Sequence, residues 1–379
     1  MKSAMKTMMK NVRGNVPRIN VAPPLPFNLY ARRPSRKLPF PLEEPHCRVF
    51  SLARQGLFLG VGALGLGPGD EVLVPAYHHG SEIEALIRAG ITCRFYGGRE
   101  HLEPDEEELE SLLGPGVRAL HLTHYLGLPQ DGARWRAWCD ERGLLLLEDA
   151  AQAWLSTCDG IPVGSHGDLS IFCLYKTFGL PDGAAVVCNS SLELPPRERI
   201  SVAASISVAA SIAREHSLYL AQQWGWFAEL HRRLKRARQY NPNWDFALGN
   251  PMRASRVTAR FLLARVANPK AQAARAANYA FLLERLARFV PEPFAHLREG
   301  ASPFAFPIQS HRKEEALGLL RRYGVAAVDF WSVPHPSLPV ADFPQAAALR
   351  DSVITLPVHQ ELSVRELERI VDAVLGSLG

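Results

Sequence analysis

The amino-acid sequence predicts an α/β fold, in which a mostly parallel sheet is covered by helices on both faces. Between residues 51 and 188, short apolar runs alternate with stretches of helical periodicity, an order typical of parallel strands joined by helices. Runs such as Leu144–Leu147 are hydrophobic along their whole length rather than at every second position, as expected of strands buried on both faces. After residue 189 the pattern changes to longer helical stretches, which indicates a smaller α+β unit at the end of the chain.

Turn residues separate the first of these elements. A helix over Ser51–Leu66 ends at Gly67-Pro68-Gly69-Asp70, and the run Glu71–Pro75 after that turn is predicted to be a buried strand. Gly143 likewise ends a helix over Ala133–Arg142. The other predicted helices are Glu82–Ala89 and Asp105–Leu113, and the other predicted strands are Thr92–Tyr96, Ala119–Thr123, Leu144–Glu148, Leu169–Leu174 and Ala184–Cys188.

The second half of the chain is mainly helical. A tandem hexapeptide, Ser201–Ile206 and Ser207–Ile212, opens a long helical segment, and its two copies indicate a duplication inside a helix rather than a solenoid. Further predicted elements are a helix over Lys270–Phe289, strands over Phe304–Gln309 and Ala326–Phe330, and a final helix over Val364–Leu378. We therefore predict a basic, Pro-rich arm over residues 1–40, a large domain over residues 41–250 and a small C-terminal domain over residues 251–379.

Composition and charge exclude several classes of protein. With 47% hydrophobic and 21% charged residues, the 379-residue chain is typical of a soluble globular protein, and no apolar run approaches the roughly 20 residues that span a bilayer. Residues 1–42 hold nine Lys or Arg and no Asp or Glu, so we expect this segment to bury little and to form an arm over the body or a partly disordered tail.

A second basic cluster lies between residues 232 and 238. We interpret it as a solvated helix face, because no nucleic-acid motif accompanies it, and we expect neither a nucleic-acid nor a membrane partner. The cluster consists of Arg232, Arg233, Lys235, Arg236 and Arg238.

The six cysteines are well separated, without a CxxC pair or a histidine at metal-ligand spacing. This pattern predicts reduced thiols in the cytoplasm and no metal site. The cysteines are Cys47, Cys93, Cys139, Cys158, Cys173 and Cys188.

Two segments carry residues suited to chemistry. The apolar run that begins at Leu144 ends in Glu148 and Asp149, and in open α/β sheets ligands bind beyond the carboxyl ends of strands. Asp149 is therefore either a cofactor contact or the N-cap of a following helix. Lys176 follows another apolar strand, where lysine is seldom buried without a task. It is either an amine nucleophile or a side chain that extends from the strand end to solvent.

These segments, with several others in the same order, resemble the DegT/DnrJ/EryC1/StrS aminotransferases, makers of amino sugars on nucleotide-linked keto-sugars. The resemblance covers nearly the whole chain after the arm. The matching pieces are Gly67–Tyr77, His124–Pro129, Glu148–Gln152, the Lys176 segment, Ala274–Tyr279 and Ile354–His359.

The resemblance implies a homodimer that uses pyridoxal 5′-phosphate (PLP), with a mostly parallel, seven-stranded type of sheet in the large domain and a smaller α+β C-terminal domain. Lys176 would hold PLP as an imine and move the substrate proton, and Asp149 would pair with the pyridinium nitrogen. Gln152, one helical turn further on, would reach the phenolic oxygen. The remaining implied contacts are His79 stacked on the ring, Ala53 and Arg54 of the Leu52-Ala53-Arg54 turn at the phosphate, Cys173 at the phosphate, and Asn250 reaching the partner subunit's phosphate.

The sequence also departs from the family pattern. Cys173 stands where the family commonly has a serine at the phosphate, and a thiol is a poorer hydrogen-bond donor than a hydroxyl. Cys173 is otherwise read as a buried strand residue. Leu52-Ala53-Arg54 replaces a Ser-Gly-Thr turn, so it lacks a hydroxyl and adds a cation. The segment before Lys176 is shorter than in the main branch, which indicates a side branch of the family.

The leading functional hypothesis is transamination from an amino acid donor, glutamate, to a keto group, with a nucleotide-linked keto-sugar as the candidate acceptor. One alternative is dehydration, elimination or desulfuration with the same cofactor, although the family's sugar dehydratases lack the lysine and no cysteine lies in a Gly/Ser-rich loop. Another is a non-catalytic regulator that kept the fold. Trp331 and His335 lie where the family often places acceptor contacts, and core packing explains them equally well.

Overall fold

A computed structural model describes residues 17–99, 102–189, 194, 202–227 and 246–378. Its main sheet has seven strands in the order β1-β9-β8-β5-β4-β2-β3. All neighbouring pairs from β8 to β3 are parallel, and only β9 runs antiparallel to both of its neighbours. The strands, with a small hairpin β6–β7, are β1 Cys47–Phe50, β2 Glu71–Pro75, β3 Thr92–Tyr96, β4 Val117–Thr123, β5 Leu145–Asp149, β6 Thr157–Cys158, β7 Ile161–Pro162, β8 Leu169–Cys173 and β9 Ala184–Cys188.

Helices cover both faces of this sheet, which explains why most residues of its central strands β2, β5, β8 and β9 are apolar and buried. On β2, Val72 and Val74 pack into one apolar cluster, whereas Leu73 between them packs into another on the opposite face. The first cluster includes Leu57 of α1, and the second includes Trp135 of α4. The helices of this part are α1 Ala53–Ala63, α2 Ser81–Arg88, α3 Glu106–Leu112, α4 Gly132–Glu141, α5 Leu174–Thr177 and α6 Val202–Gln223.

The C-terminal part is built around a small antiparallel sheet in the order β10-β12-β11. Leu282, Leu320 and Ile370 of its helices pack in one apolar cluster with the sheet residues Phe306 and Ile354. Its elements are a π-helical segment Val257–Leu262, α7 Leu263–Val266, α8 Ala271–Leu286, β10 Phe306–Gln309, α9 Lys313–Arg322, β11 Val328–Asp329, α10 Pro344–Ser352, β12 Val353–Leu356 and α11 Val364–Leu378. Short 3₁₀ turns lie at Phe27–Ala31, Tyr125–Gly127, Ala287–Phe289, Glu292–Phe294 and Val340–Asp342.

This architecture confirms the predicted fold class. The sequence did not predict β1, β12, the hairpin β6–β7, the π-helical segment or the helices α5, α7, α9 and α10. It placed the ends of the other predicted helices and strands within a few residues. Residues 202–212 of the tandem hexapeptide lie in α6, as predicted. The domain boundaries stay predictions, and the basic cluster at residues 232–238 lies outside the described residues.

The described part of the arm packs tightly against the body, so the expectation that it buries little is wrong there. Ile19, Leu25 and Leu29 are fully buried. Ile19 forms a bridge with Val325 of the small domain, and Leu25 packs in the cluster that contains Trp154. The arm therefore contacts both parts of the molecule. In the described part of the chain, no helix is both long enough and apolar enough to cross a membrane.

Candidate active site

A cavity of about 700 Å³ opens where three parallel strands of the main sheet end. Thr123, Asp149 and Cys173 are the last residues of β4, β5 and β8, and all three line it. The first residues of α1 and α2 and residues Ala327–Val333 of the small domain complete its walls. This is the carboxyl edge of the sheet, where ligands of open α/β folds bind.

The sequence-predicted site residues nearly all meet at this cavity. Lys176 and Asp149, from different strand ends, both line it. The other predicted residues that line it are Gln152, His79, Ala53, Arg54 and Cys173. Asn250 does not; it is exposed to solvent. Trp331 lines the cavity with a positive φ of 56°, whereas His335 lies elsewhere, with its Nε2 3.2 Å from Glu84.

Asp149 is a buried carboxylate that accepts one backbone hydrogen bond from the residues that the structure describes. Its Oδ1 accepts a hydrogen bond of 2.8 Å from the Ala151 N–H, and its Oδ2 lies 3.9 Å from the His121 Nε2. Burial raises the pKa of the Asp149 carboxyl above its ordinary value, and nearby Glu82 adds to that rise. His121 and Lys176 act in the opposite direction. The carboxylate is therefore held in the cavity wall, where a cationic partner would stabilise its charge.

The N-cap interpretation of Asp149 is wrong, because no α-helix follows it. Residues 151–155 form consecutive turns, and the Asp149–Ala151 bond forms a side-chain turn directly before them. Gln152 therefore reaches the cavity from a turn, rather than from one turn along a helix as expected. Its Oε1 accepts a hydrogen bond of 2.7 Å from the Leu126 N–H, which leaves the amide nitrogen as the donor it can offer to a ligand.

Lys176 lies in the short helix α5, directly after β8. Its side chain is half-buried and lines the cavity, with Nζ 5.8 Å from the centre of the Phe304 ring. The amine therefore lies beside an aromatic wall of the same cavity that holds Asp149.

The N-terminus of α1 faces the cavity and suits an anion. Its N-cap, Leu52, has extended backbone geometry and no side-chain atom that could cap the first N–H groups, and the first turn contains no acidic residue. The N–H groups of the first turn and the helix dipole therefore favour a negatively charged group such as a phosphate. The side chain of Arg54, the second helical residue, lines the cavity and adds positive charge.

The surroundings of Cys173 are compatible with both predictions for it, a phosphate contact and a buried strand residue. It is buried among apolar residues that include Val186, and it also lines the cavity. Burial raises the pKa of its thiol, while Lys176 and a hydrogen bond with Tyr175 act in the opposite direction. Its role at a phosphate stays a prediction.

His79 lies just before α2 with its ring in an aromatic setting. The ring meets those of Phe246 and Trp331 edge-on, at centroid distances of 5.9 and 6.3 Å. Its Nδ1 lies 3.2 Å from the Ser81 hydroxyl, and the backbone N–H of His79 donates to the Glu82 carboxylate. These contacts fix the imidazole at the cavity wall.

Sequence reasoning missed two site residues, Glu82 and His121. Glu82 lines the cavity and is buried. Burial alone would raise the pKa of Glu82, but the neighbouring His79 and His78 lower it to about 2. The buried Nε2 of His121 has no hydrogen-bond partner among the described residues, so the ring is available to interact with Asp149. A glutamate in a surface-like helix gives no signal of burial, and a histidine in a predicted strand gives no signal of which side chain it will contact.

A family model described as the DegT/DnrJ/EryC1/StrS aminotransferase family matches residues 37–375. GDP-perosamine synthase of Vibrio cholerae is 31% identical over 156 residues, which are 40% of this chain and 42% of that protein. The dTDP-3-amino-3,4,6-trideoxy-alpha-D-glucose transaminase of Streptomyces venezuelae is 25% identical over 358 residues, 88% of this chain and 83% of that protein. The chain thus spans about two fifths of the first relative's length and most of the second's.

The fold is shared with solved structures of low sequence identity. Spr1654 from Streptococcus pneumoniae, solved in its PLP form, has a TM-score of 0.66 and 19% identity to this chain. The likeness covers 95% of this chain and 98% of that one. At this identity the likeness shows the architecture alone.

Proposed function

Because the chain belongs to the DegT/DnrJ/EryC1/StrS aminotransferase family, we propose that it is a PLP-dependent aminotransferase that uses Lys176 to hold the cofactor. The observation that carries this proposal is that the Lys176 amine, the Asp149 carboxylate and the uncapped N-terminus of α1 border one cavity. We propose glutamate as the amino donor and a nucleotide-linked keto-sugar as the acceptor, since the similar proteins are named for amino-sugar products.

The donor set of the cavity fits the chemical groups of PLP. The N–H groups at Ala53 and Arg54 suit the phosphate, and the Asp149 carboxylate suits a protonated ring nitrogen. The Gln152 amide nitrogen suits an oxygen acceptor. When bound, PLP supplies a ring that withdraws electrons from the carbon next to the transferred amine.

The protein's own residues then have distinct tasks. Asp149 would hold the proton on the ring nitrogen, and the nearby His121 would support its charge. The imidazole of His79 would cover the face of the ring. Lys176, on its short helix, would carry the substrate proton between carbon atoms. The aromatic side chains of Phe304, Phe330 and Trp331 would limit access of water to that part of the cavity.

We also propose that the protein acts in the cytoplasm as a homodimer in which Asn250 contributes to the partner subunit's site. The exposure of Asn250, away from its own cavity, is compatible with such a contact. Sizing at increasing dilution with parallel activity measurements tests this. A monomer that is fully active would contradict it.

A half-reaction with each substrate alone tests the proposed activity. With glutamate, we expect the PLP absorbance to be replaced by that of the pyridoxamine form, with one 2-oxoglutarate released for each cofactor. The pyridoxamine form should then aminate a keto-sugar nucleotide, which mass spectrometry detects as the replacement of a carbonyl oxygen by an amine. Loss of water or sulfur from the substrate without amine transfer would favour the dehydratase or lyase alternative, and an unchanged cofactor with every donor would favour a regulator.

A further inference from the structure

A buried arginine of the small domain binds the backbone on both sides of the Lys176 amine. Arg275, on α8, is only 1% exposed. Its Nη2 donates to the Thr177 carbonyl at 2.7 Å, and its Nη1 donates to the Pro303 carbonyl at 2.8 Å. Thr177 directly follows Lys176. Pro303 directly precedes Phe304, whose ring centre lies 5.8 Å from the Lys176 Nζ.

A second donor reinforces the contact with Thr177. Gln360 accepts a hydrogen bond of 2.8 Å from the Arg275 Nε and donates one of 3.2 Å from its own Nε2 to the Thr177 carbonyl. Carbonyl groups at the end of a helix have no partner within the helix, and α5 is only four residues long. Two donors from outside α5 therefore fix the end of the helix that carries Lys176.

Stability alone does not explain an arginine at this position. The three acceptors of its hydrogen bonds are neutral oxygens, not carboxylates. Burial lowers the pKa of Arg275 to about 9, and the charge of Glu361 acts in the opposite direction. A buried cation without a bonded carboxylate is costly, and apolar residues of similar volume are often as stable in its place.

We propose that Arg275 is a positioning residue, which holds the Lys176 amine at the angle and distance needed to attack the aldehyde carbon of the cofactor. This inference rests on the proposed function, because it takes Lys176 as the residue that binds PLP. In the reaction, the Lys176 nitrogen forms a double bond to the aldehyde carbon, and the aldehyde oxygen leaves as water with the two amine protons. The planar guanidinium fixes α5 and the Phe304 segment relative to each other, which a single ammonium group cannot do.

The test is the rate at which the full-length protein, freed of cofactor, forms an imine with pyridoxal. Pyridoxal lacks the phosphate, so its reaction reports the amine rather than the phosphate contacts. For Arg275→Lys we expect the maximal rate to fall on the order of 10- to 100-fold, because small displacements of reacting groups have effects of this size. The half-saturating pyridoxal concentration should change by less than about twofold, since the residues proposed to bind the ring are unaltered.

Arg350→Lys is the matched control. Arg350 is also a buried arginine that donates to two carbonyls, those of Trp331 at 2.7 Å and Ala76 at 2.8 Å, but neither adjoins Lys176. We expect a similar fall in melting temperature and little change in the maximal rate of imine formation. If Arg275→Lys does not fold, Gln360→Ala is the alternative variant. Gln360 is half-buried, and its removal deletes one of the two donors to the Thr177 carbonyl. We expect the maximal rate of imine formation to fall a few-fold.

Two results would overturn the inference: a normal maximal rate in Arg275→Lys (or in Gln360→Ala, if only that variant folds), or an equal loss in Arg350→Lys. Reduction of the wild-type imine and peptide mapping separate this failure from failure of the proposed function. If wild-type protein carries the label on another lysine, the proposed function fails. If it carries the label on Lys176 while the Arg275 and Arg350 variants behave alike, only the role of Arg275 is refuted.

Discussion

Glu148 and Asp149 are neighbours on β5, yet their side chains point to opposite faces of the sheet and meet opposite environments. Glu148 accepts hydrogen bonds from the N–H groups of Gly164, His166 and Gly167 and lies 3.1 Å from the His124 Nε2. Burial opposes the ionisation of Glu148, but these donors hold its pKa below the ordinary value. Burial instead raises the pKa of Asp149.

Two buried histidines repeat this contrast. The neutral His359 donates from Nε2 to the Asn20 carbonyl and accepts the Glu361 N–H at Nδ1, so both nitrogens have partners. His121 has no hydrogen-bond partner for Nε2 among the described residues and lies beside Asp149. Buried polar groups are normally satisfied. Glu148 and His359 thus have their partners within the chain, whereas Asp149 lines the cavity and His121 lies directly behind it.

Asp149→Asn gives the largest expected effect. Removing the charge that keeps the cofactor's ring nitrogen protonated should lower turnover by at least about 100-fold, while PLP still binds. Because the folded-state pKa of Asp149 is raised, its ionised form costs stability at neutral pH. The melting temperature of the cofactor-free variant should therefore stay equal or rise. Near-normal turnover would mean that Asp149 serves only the turn it closes.

Glu148→Gln should mainly lower stability, whereas Asp149→Asn should mainly lower turnover. The introduced amide would have one acceptor oxygen, whereas the donors around the Glu148 carboxylate now share two. Its NH₂ group would also face backbone N–H groups. We therefore expect the free energy of unfolding to fall by about 3–5 kcal/mol. Urea unfolding of the cofactor-free protein measures this. The folded-state pKa of Glu148 is lowered, so its contribution is present above the unfolded pKa and is lost as pH falls through the folded one. A Glu148→Gln protein that is as stable as the wild type but inactive would contradict the assignment of Glu148 to the fold and Asp149 to the site.

The pH dependence of stability tests the histidines. Burial, assisted by the charge of Arg275, lowers the pKa of His359 from 6.5 to about 3. Between these two values, His359 is protonated in the unfolded chain and neutral in the folded chain. Stability is therefore full above pH 6.5 and falls as pH decreases toward 3. Between pH 6 and pH 5, His359→Gln should reduce the slope of unfolding free energy by about 1.4 kcal/mol per pH unit. An unchanged slope would show that His359 is charged or exposed.

Cys173→Ser gives the smallest expected effect and tests whether residue 173 contacts the phosphate or belongs to the apolar core. If residue 173 faces the phosphate, a hydroxyl should tighten PLP binding several-fold, because hydrogen bonds to charged groups are worth roughly 1.5–3 kcal/mol and a thiol supplies only part of that. If it belongs to the core, the hydroxyl should cost about 1–3 kcal/mol of stability. Cofactor affinity and the melting temperature of the cofactor-free protein, measured together, distinguish the two.

The sequence predicted those features that depend on local patterns. The strands Glu71–Pro75, Thr92–Tyr96 and Ala184–Cys188 have the predicted limits, because turn residues lie close to the ends of these short runs. Lys176 and Asp149 could be placed together because parallel strands end at one edge. By contrast, β1 has only four residues and its pairing with β9 spans more than a hundred residues, so no local signal marks it.

The missing site residues share one cause. Glu82 and likewise the positioning residue Arg275 are polar helix residues whose burial arises only when distant segments pack around them. For His121 the strand was predicted, but its place beside Asp149 was not. Their roles follow from tertiary contacts, which a single sequence does not contain.

The most direct test of the central claim is the chemical position of the cofactor. Borohydride reduction of the protein with PLP, followed by peptide mass mapping, should place one pyridoxyl group on Lys176, and Lys176→Ala should lose the imine absorbance. A label on another lysine, or an unchanged absorbance in Lys176→Ala, would contradict the assignment of this cavity as the PLP site.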